Sequence, residues 1–220
     1  MMLGIITSIT MLAPADKLVD VATLDARWKL DVKYATTDNF VGKVMYASAR
    51  CFLREKPAQM LIEAQRWLDK NAKGYVFMLK DCYRPVRVQH IMWDAVKGTP
   101  KSGYVADPNS KYGSVHNYGC AVDLTLMDAT GKEVDMGTAY DYLGKLAEPR
   151  HEEEFVAEGK LKREHITNRH ILRDAMVAGG WKTIPNEWWH FNMLTGEELR
   201  ANYQPLDVPF EELDKLTKGK

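Results

Sequence analysis

The chain is short of cysteine, of net charge and of any long apolar run, and each shortage removes a class of protein. Three cysteines in 220 residues, Cys51, Cys82 and Cys120, form no C-x-x-C pattern and are odd in number. They argue against a disulfide framework and a structural zinc knuckle, and buried free thiols are the expectation. Thirty basic residues balance thirty acidic ones with no basic stripe. Nucleic acid is therefore not an expected partner, because phosphate neutralisation needs clustered Lys and Arg. The most apolar stretch, residues 1–15, falls well short of the roughly 20 residues an integral membrane helix needs. It carries no charge and ends in Ala13-Pro14-Ala15, like the small-residue end of an export signal, yet it lacks a basic start. It leans toward an exported, periplasmic protein, with cytoplasmic residence the alternative.

What is present is ordinary for a globular chain with one core. Apolar residues make up 45% and charged residues 27%, and no repeat, low-complexity tract or linker divides residues 16–220, which read as one domain. Met60, Leu61, Ala64, Trp67 and Leu68 recur at helical spacing within Pro57 to Lys70. Tyr75 to Leu79 follows as a buried strand, and a second helix over Arg87 to Val96 starts after Arg84-Pro85. Gly98 to Gly113 is a loop rich in Gly, Pro, Ser and Asn. Cys120 to Leu126, Trp181 to Ile184 and Trp188 to Met193 read as strands, Asn168 to Val177 as a helix, and Phe210 to Leu216 as a short helix in a polar tail. Strands and helices mixed without regular βαβ spacing predict an α+β domain, a central antiparallel sheet packed with helices.

Two segments carry the chemistry: Ser114-Val115-His116-Asn117-Tyr118-Gly119-Cys120-Ala121-Val122-Asp123 and Glu187-Trp188-Trp189-His190. Together they hold two imidazoles, a carboxylate ligand and a spare carboxylate. A catalytic zinc takes three protein ligands and keeps a position open, and a nearby carboxylate that does not bind it serves as base. His116, Asp123 and His190 are the expected ligands of one zinc ion per chain, and Glu187 the expected base. His116 and Asp123 need a turn between them to converge, which Asn117-Tyr118-Gly119 can supply because Gly tolerates the required backbone angles. Glu187 and His190 stand three apart, so on a flat strand they would face oppositely; a bulge, a twist or a helical turn must bring them together. Singly, a histidine or a Glu-x-x-His recurs by chance; the joint pattern is the signal. His90, His151, His165 and His170 lack such partners and are expected at the surface, and Cys120 is expected to be a packed thiol.

These residues resemble a known family. Ser114-x-His116-x-x-Gly119-x-Ala121-x-Asp123, Glu187-Trp188-Trp189-His190 and Asp81-Cys82-Tyr83-Arg84-Pro85 are similar to motifs of the D-alanyl-D-alanine dipeptidases, zinc enzymes related to the one used in vancomycin resistance. Lys33 to Phe40 and Met136 to Asp141 extend the likeness, so that it covers roughly Leu30 to Asn192 in order. The resemblance implies the D,D-peptidase and hedgehog-like fold, with zinc at the sheet, and hydrolysis of D-Ala-D-Ala to two D-alanines by zinc-bound water with Glu187 as general base and acid. It implies that Arg84 steadies the oxyanion, a task suited to a fixed guanidinium. It also implies that Asp81 orients that region, that Asp141 receives the substrate ammonium, and that Tyr34 and Ser114 line the site.

Three functions compete. The first is a dipeptidase for a small free D,D-dipeptide; a carboxylate such as Asp141, buried at the amine side, would be left unpaired by a longer substrate. The second is a D,D-carboxypeptidase or other peptidoglycan peptidase, which shares the motifs but needs an open cleft. The segment around Asp141 and a Gly98–Gly113 loop able to narrow the cleft favour the dipeptidase. The third is a cell-wall-binding or metal-binding protein without catalysis, which would require neither Glu187 nor Arg84. Oligomeric state and physiological role are not legible in the residues.

Overall fold

The two central strands of the chain are covered on both faces. β4 (Val76–Asp81) and β5 (Ala121–Met127) are buried along almost their whole length. The apolar run Val76 to Leu79 in β4 fits a strand covered on both faces, whereas β5 keeps an alternation, its buried Asp123 and Thr125 lying between Val122, Leu124 and Leu126. The structure, a computed structural model, describes residues 17–218; the apolar start over residues 1–15 lies outside the described residues.

Before β4 come β1 (Leu18–Asp20), β2 (Lys29–Leu30), β3 (Phe52–Arg54) and helix α1 (Glu55–Asn71). Helix α2 (Val86–Val96) lies between β4 and β5. After β5 follow α3 (Glu152–Ala157), α4 (Arg163–Ala178), β6 (Lys182–Thr183), β7 (His190–Asn192), α5 (Gly196–Asn202) and α6 (Phe210–Lys218). The main sheet has five strands in the order β2-β4-β5-β7-β6, and β1 and β3 form a separate antiparallel pair. Every neighbouring pair in the main sheet is antiparallel except β2 with β4, which run parallel at the edge. The fold is thus α+β, a largely antiparallel sheet packed with helices.

Helix α1 buries Met60, Leu61, Ala64 and Leu68, residues three and four apart that share one face. Pro57 sits in its first turn, where the ring removes no needed hydrogen bond. Helix α4 packs on α1, and α1 also touches β3 and β4. Val122, Leu124 and Phe191 are buried in the same core as these helices.

The site occupies the opposite sheet face. Register pairs Leu79 with Leu124 but Asp81 with Asp123, so Lys80 is an extra residue, a β-bulge. Residues directly across from one another share a face. The bulge therefore returns Asp81 to the face of Asp123, and Asp123 in turn lies across from His190. Bulges re-aim side chains in this way beside active sites.

One expectation is corrected. Cys51 and Cys82 form a disulfide, with Cα atoms 5.3 Å apart, so two of the three expected free thiols are paired. They stand 31 residues apart in sequence, and the β3 end meets the β4 end only in the folded chain. Cys120 is the free, buried thiol that was expected, and burial pushes its thiol up to about 12.

Candidate active site

His116 sits in a 3-10 turn over Val115–Tyr118 that closes on Gly119 at φ +66°. The expected Gly turn is therefore what brings His116 back toward β5. A Cβ at Gly119 would also lie 2.9 Å from Leu18 Cδ2, a second reason for glycine. The turn is laced to the Asp81–Arg84 segment: Arg84 N–H donates to the His116 carbonyl (3.1 Å), and Asn117 Nδ2 donates to the Arg84 carbonyl (2.9 Å). Glu187 precedes β7 in an irregular bend. That bend removes the alternation problem and brings Glu187 Oε2 to 3.9 Å from His190 Nδ1.

Three atoms converge. His116 Nε2 lies 3.1 Å from His190 Nδ1 and 3.3 Å from Asp123 Oδ1, and His190 Nδ1 lies 2.9 Å from Asp123 Oδ1. Tetrahedral zinc with bonds of roughly 2.0–2.2 Å has ligand–ligand edges of roughly 3.3–3.5 Å, so the three atoms stand only slightly closer than a bound ion would hold them. Among the described residues, these three form the one cluster of metal-ligating type. Both rings are also turned for the task. His116 Nδ1 donates to the Cys82 carbonyl at 2.6 Å, and His190 Nε2 to Asn192 Oδ1 at 2.8 Å. Each bond leaves the inward nitrogen with its lone pair, the arrangement that metal-ligating histidines adopt. The donor set fits a zinc-type ion. Burial alone would raise the Asp123 carboxyl, but the two imidazoles outweigh it and hold it well below the usual carboxylate range.

Arg84 is fixed from two sides. Its Nε and Nη2 donate to Asp81 Oδ2 (3.0 and 2.7 Å), and Nη1 donates to Gln89 Oε1 (2.8 Å). Tyr46 Oη donates to the other Asp81 oxygen at 2.8 Å. Burial raises the Asp81 carboxyl, with Arg84 pulling against it. Burial also pushes Glu187 up to about 7. Tyr34 Oη donates to Asp141 Oδ1 at 2.9 Å, whereas Asp141 Oδ2 is buried with no hydrogen-bond partner. Burial raises Asp141 well above its ordinary value despite the Tyr34 bond.

His116, Asp123, His190, Glu187, Arg84, Asp141 and Tyr34 border one cavity of about 270 Å³, together with Ser114 and Trp189. Asp81 stands behind Arg84. Gly103 to Ala106 and Gly113 form one wall, so the Gly98–Gly113 loop does narrow the cleft. The volume lies just below the roughly 300–1,000 Å³ of drug-sized pockets and suits a small ligand. A larger groove of about 560 Å³ also borders Asp141. Its Lys33 and Lys80 are ion-paired with Asp31, Asp38 and Glu133, and His116, Asp123 and His190 line only the smaller cavity.

The structure thus brings together every residue singled out in the sequence: His116, Asp123, His190, Glu187, Arg84, Asp81, Asp141, Tyr34 and Ser114. His90 and His170 are exposed as expected, but His165 is buried, facing Asp135 across 3.3 Å. Four buried polar residues beside the site escaped sequence reasoning: Gln89, Asn192, Tyr140 and Tyr46. Asn192 was within reach, because a residue two beyond a strand ligand shares its face. Gln89 and Tyr140 meet the site only through tertiary packing.

Asp123 and His190 stand on β5 and β7, and His116 on the turn before β5. This His–Asp–His donor set, with a carboxylate beside it and a fixed guanidinium 3.8 Å from Asp123, fits the metal-dependent class of peptidase. The model of peptidase family M15, described as D-ala-D-ala dipeptidase, matches residues 14–209. The chain belongs to that family. It is 33% identical over 177 residues to a D-alanyl-D-alanine dipeptidase of Escherichia coli (strain K12), covering 80% of this chain and 84% of the relative. It is 32% identical over 189 residues to one of Enterococcus faecalis (strain ATCC 700802 / V583), covering 76% and 86%. A relative of the same name from Streptomyces coelicolor (strain ATCC BAA-471 / A3(2) / M145) is 30% identical over 196 residues, covering 80% and 89%. Among the described residues no helix is long and apolar enough to cross a membrane.

Proposed function

We propose that the chain hydrolyses free D-alanyl-D-alanine to two D-alanines, with a zinc ion held by His116, Asp123 and His190. The observation that carries this reading is the partnerless Oδ2 of Asp141 in the same small cavity as the donor set. A buried carboxylate oxygen without a partner is costly, and a substrate ammonium would supply the missing donor. A longer peptide chain has an amide there instead, and leaves the charge unmet.

A zinc ion in this site supplies a Lewis acid that acidifies water and polarises the scissile carbonyl. The protein's own groups do the rest. Glu187 takes the proton from the attacking water and delivers it to the leaving nitrogen as the C–N bond breaks. A carboxyl near 7 suits both halves of that transfer. Arg84, held at three of its N–H groups by Asp81 and Gln89, turns the remainder of its fork to the developing oxyanion, a placement made before the reaction begins. Tyr34 holds Asp141 Oδ1 so that Oδ2 faces the substrate.

The test is D-alanine release from free D-Ala-D-Ala by zinc-loaded protein, with and without chelator, beside the Glu187→Ala variant and a muramyl pentapeptide. Release from the dipeptide alone, abolished by chelator and by the variant, is the expected result. Release from the pentapeptide instead would make the chain a D,D-carboxypeptidase.

A further inference from the structure

Tyr140 does something that the peptidase reading has not used. It is 8% exposed, and its hydroxyl lies 3.1 Å from Asp123 Oδ2 and 3.1 Å from Tyr34 Oη. Tyr34 Oη lies 2.9 Å from Asp141 Oδ1. A buried run of four groups therefore joins the two functional carboxylates: Asp123, Tyr140, Tyr34, Asp141. The backbone is bent to make it. Asp141 is the one non-glycine residue at positive φ (62°) among those described, a conformation uncommon outside glycine, although Asp tolerates it better than most residues. In extended chain, consecutive side chains face apart; the left-handed residue lets Tyr140 and Asp141 both reach the site. Trp189 packs edge-on against the Tyr140 ring at 5.4 Å and helps fix it.

Counting hydrogens makes the run informative. Two phenols bring two hydrogens to three gaps, and a proton on Asp141 would sit on its partnerless Oδ2, outside the run, because Oδ1 accepts from Tyr34. Tyr34 is the donor within hydrogen-bond reach of Asp141 Oδ1, so the Tyr140 hydrogen is divided between Asp123 Oδ2 and the Tyr34 oxygen. The other Asp123 oxygen, Oδ1, is the one that meets the two imidazole nitrogens.

We infer that Tyr140 is a positioning residue for the metal: by donating to Asp123 Oδ2 it holds the carboxylate so that Oδ1 alone faces His116 and His190, and Tyr34 competes with Asp123 for that donation. The inference rests on the metal reading above. It assigns the two phenols opposite effects, although both are buried and each loses only one oxygen on substitution by Phe. Removing the Tyr140 hydroxyl frees Asp123 and weakens zinc binding, by the 10–100-fold typical of lost hydrogen bonds behind metal ligands. Removing the Tyr34 hydroxyl releases the Tyr140 hydrogen entirely to Asp123 and does not weaken zinc binding.

The experiment is a zinc titration against a chromophoric chelator for wild type, Tyr140→Phe and Tyr34→Phe, with metal-free thermal unfolding of each as the fold control. The expected result is a 10–100-fold weaker zinc affinity for Tyr140→Phe and no loss for Tyr34→Phe. Equal losses in both, or none in Tyr140→Phe, would overturn the inference while leaving the metal reading intact. Failure of wild type itself to take up one zinc ion per chain would overturn the metal reading and this inference together.

Discussion

Asp81 and Asp123 face each other across the β4–β5 pairing, and the guanidinium of Arg84 stands against both, with Nη2 2.7 Å from Asp81 Oδ2 and 3.8 Å from Asp123 Oδ2. Two buried carboxylates on neighbouring strands repel. Here the bulge at Lys80 puts them side by side, and Arg84 offsets the repulsion while being aimed by it. A cation held this way is pre-placed for charge that develops in front of it.

Replacing Arg84 by Ala is therefore expected to lower kcat by roughly 10²–10³, the range for one oxyanion donor. Arg84→Lys is expected to recover little of it, because a single ammonium cannot bond both Asp81 and Gln89 in the forked geometry. Steady-state rates with zinc content matched among the variants decide the matter. A Lys variant near wild-type rate would mean that the positive charge suffices and the fork is irrelevant.

On the proposed mechanism, Glu187 sets the pH dependence. It must be unprotonated to accept the first proton, and burial has moved its carboxyl up to about 7. Activity is thus lost as pH falls through that region and gained as pH rises. Zinc beside the carboxylate favours the charged form, so the ascending limb of kcat/KM should have its midpoint at or below about 7. A limb centred well above neutrality would assign proton acceptance to another group.

How far the sequence carried the reading depends on whether an interaction is local or long-range. The Gly119 turn, helices α1 and α2 and strand β5 were legible because period and turn chemistry act over a few residues. The strand β2 was not: it has two residues and is held by parallel pairing with β4, far along the chain. The Cys51–Cys82 bridge was missed for a related reason, since its two ends come together only when β3 and β4 are placed. The bulge that aligns Asp81 with Asp123 has no composition signal, because Lys80 leaves the site altogether and pairs with Asp31 and Glu133. Tyr140 and Gln89 belong to the same kind, polar side chains whose partners exist only after folding.

Packing behind the site yields a stability prediction. Gly179 ends α4 where it crosses α1, and a Cβ there would lie 2.6 Å from the Met60 carbonyl oxygen, 2.8 Å from Ala64 Cβ and 2.9 Å from Ala64 N. Two of these three are backbone atoms and cannot swing away. Gly179→Ala is expected to destabilise by about 1–3 kcal/mol through overpacking. Denaturant unfolding should show a lower midpoint with an unchanged slope. An unchanged midpoint would mean that the helices separate freely at this crossing.

Asp141 offers the sharpest test of substrate choice. Its Oδ1 is held by Tyr34 and its Oδ2 has no partner, and burial disfavours its charged form until a cation arrives beside it. Truncating one member of a buried charge pair typically costs about 2–5 kcal/mol. Asp141→Asn keeps the shape and the Tyr34 contact but removes the charge, so kcat/KM for free D-Ala-D-Ala should fall by about 30-fold or more. The N-acetylated dipeptide, which brings no ammonium, should be a poor substrate for wild type and should not lose further in the variant. The ratio of the two substrates, rather than either rate alone, isolates the charge, because a general distortion of the site would lower both. If Asp141→Asn keeps the wild-type preference for the free amine, the ammonium is recognised elsewhere, and the partnerless oxygen has another purpose.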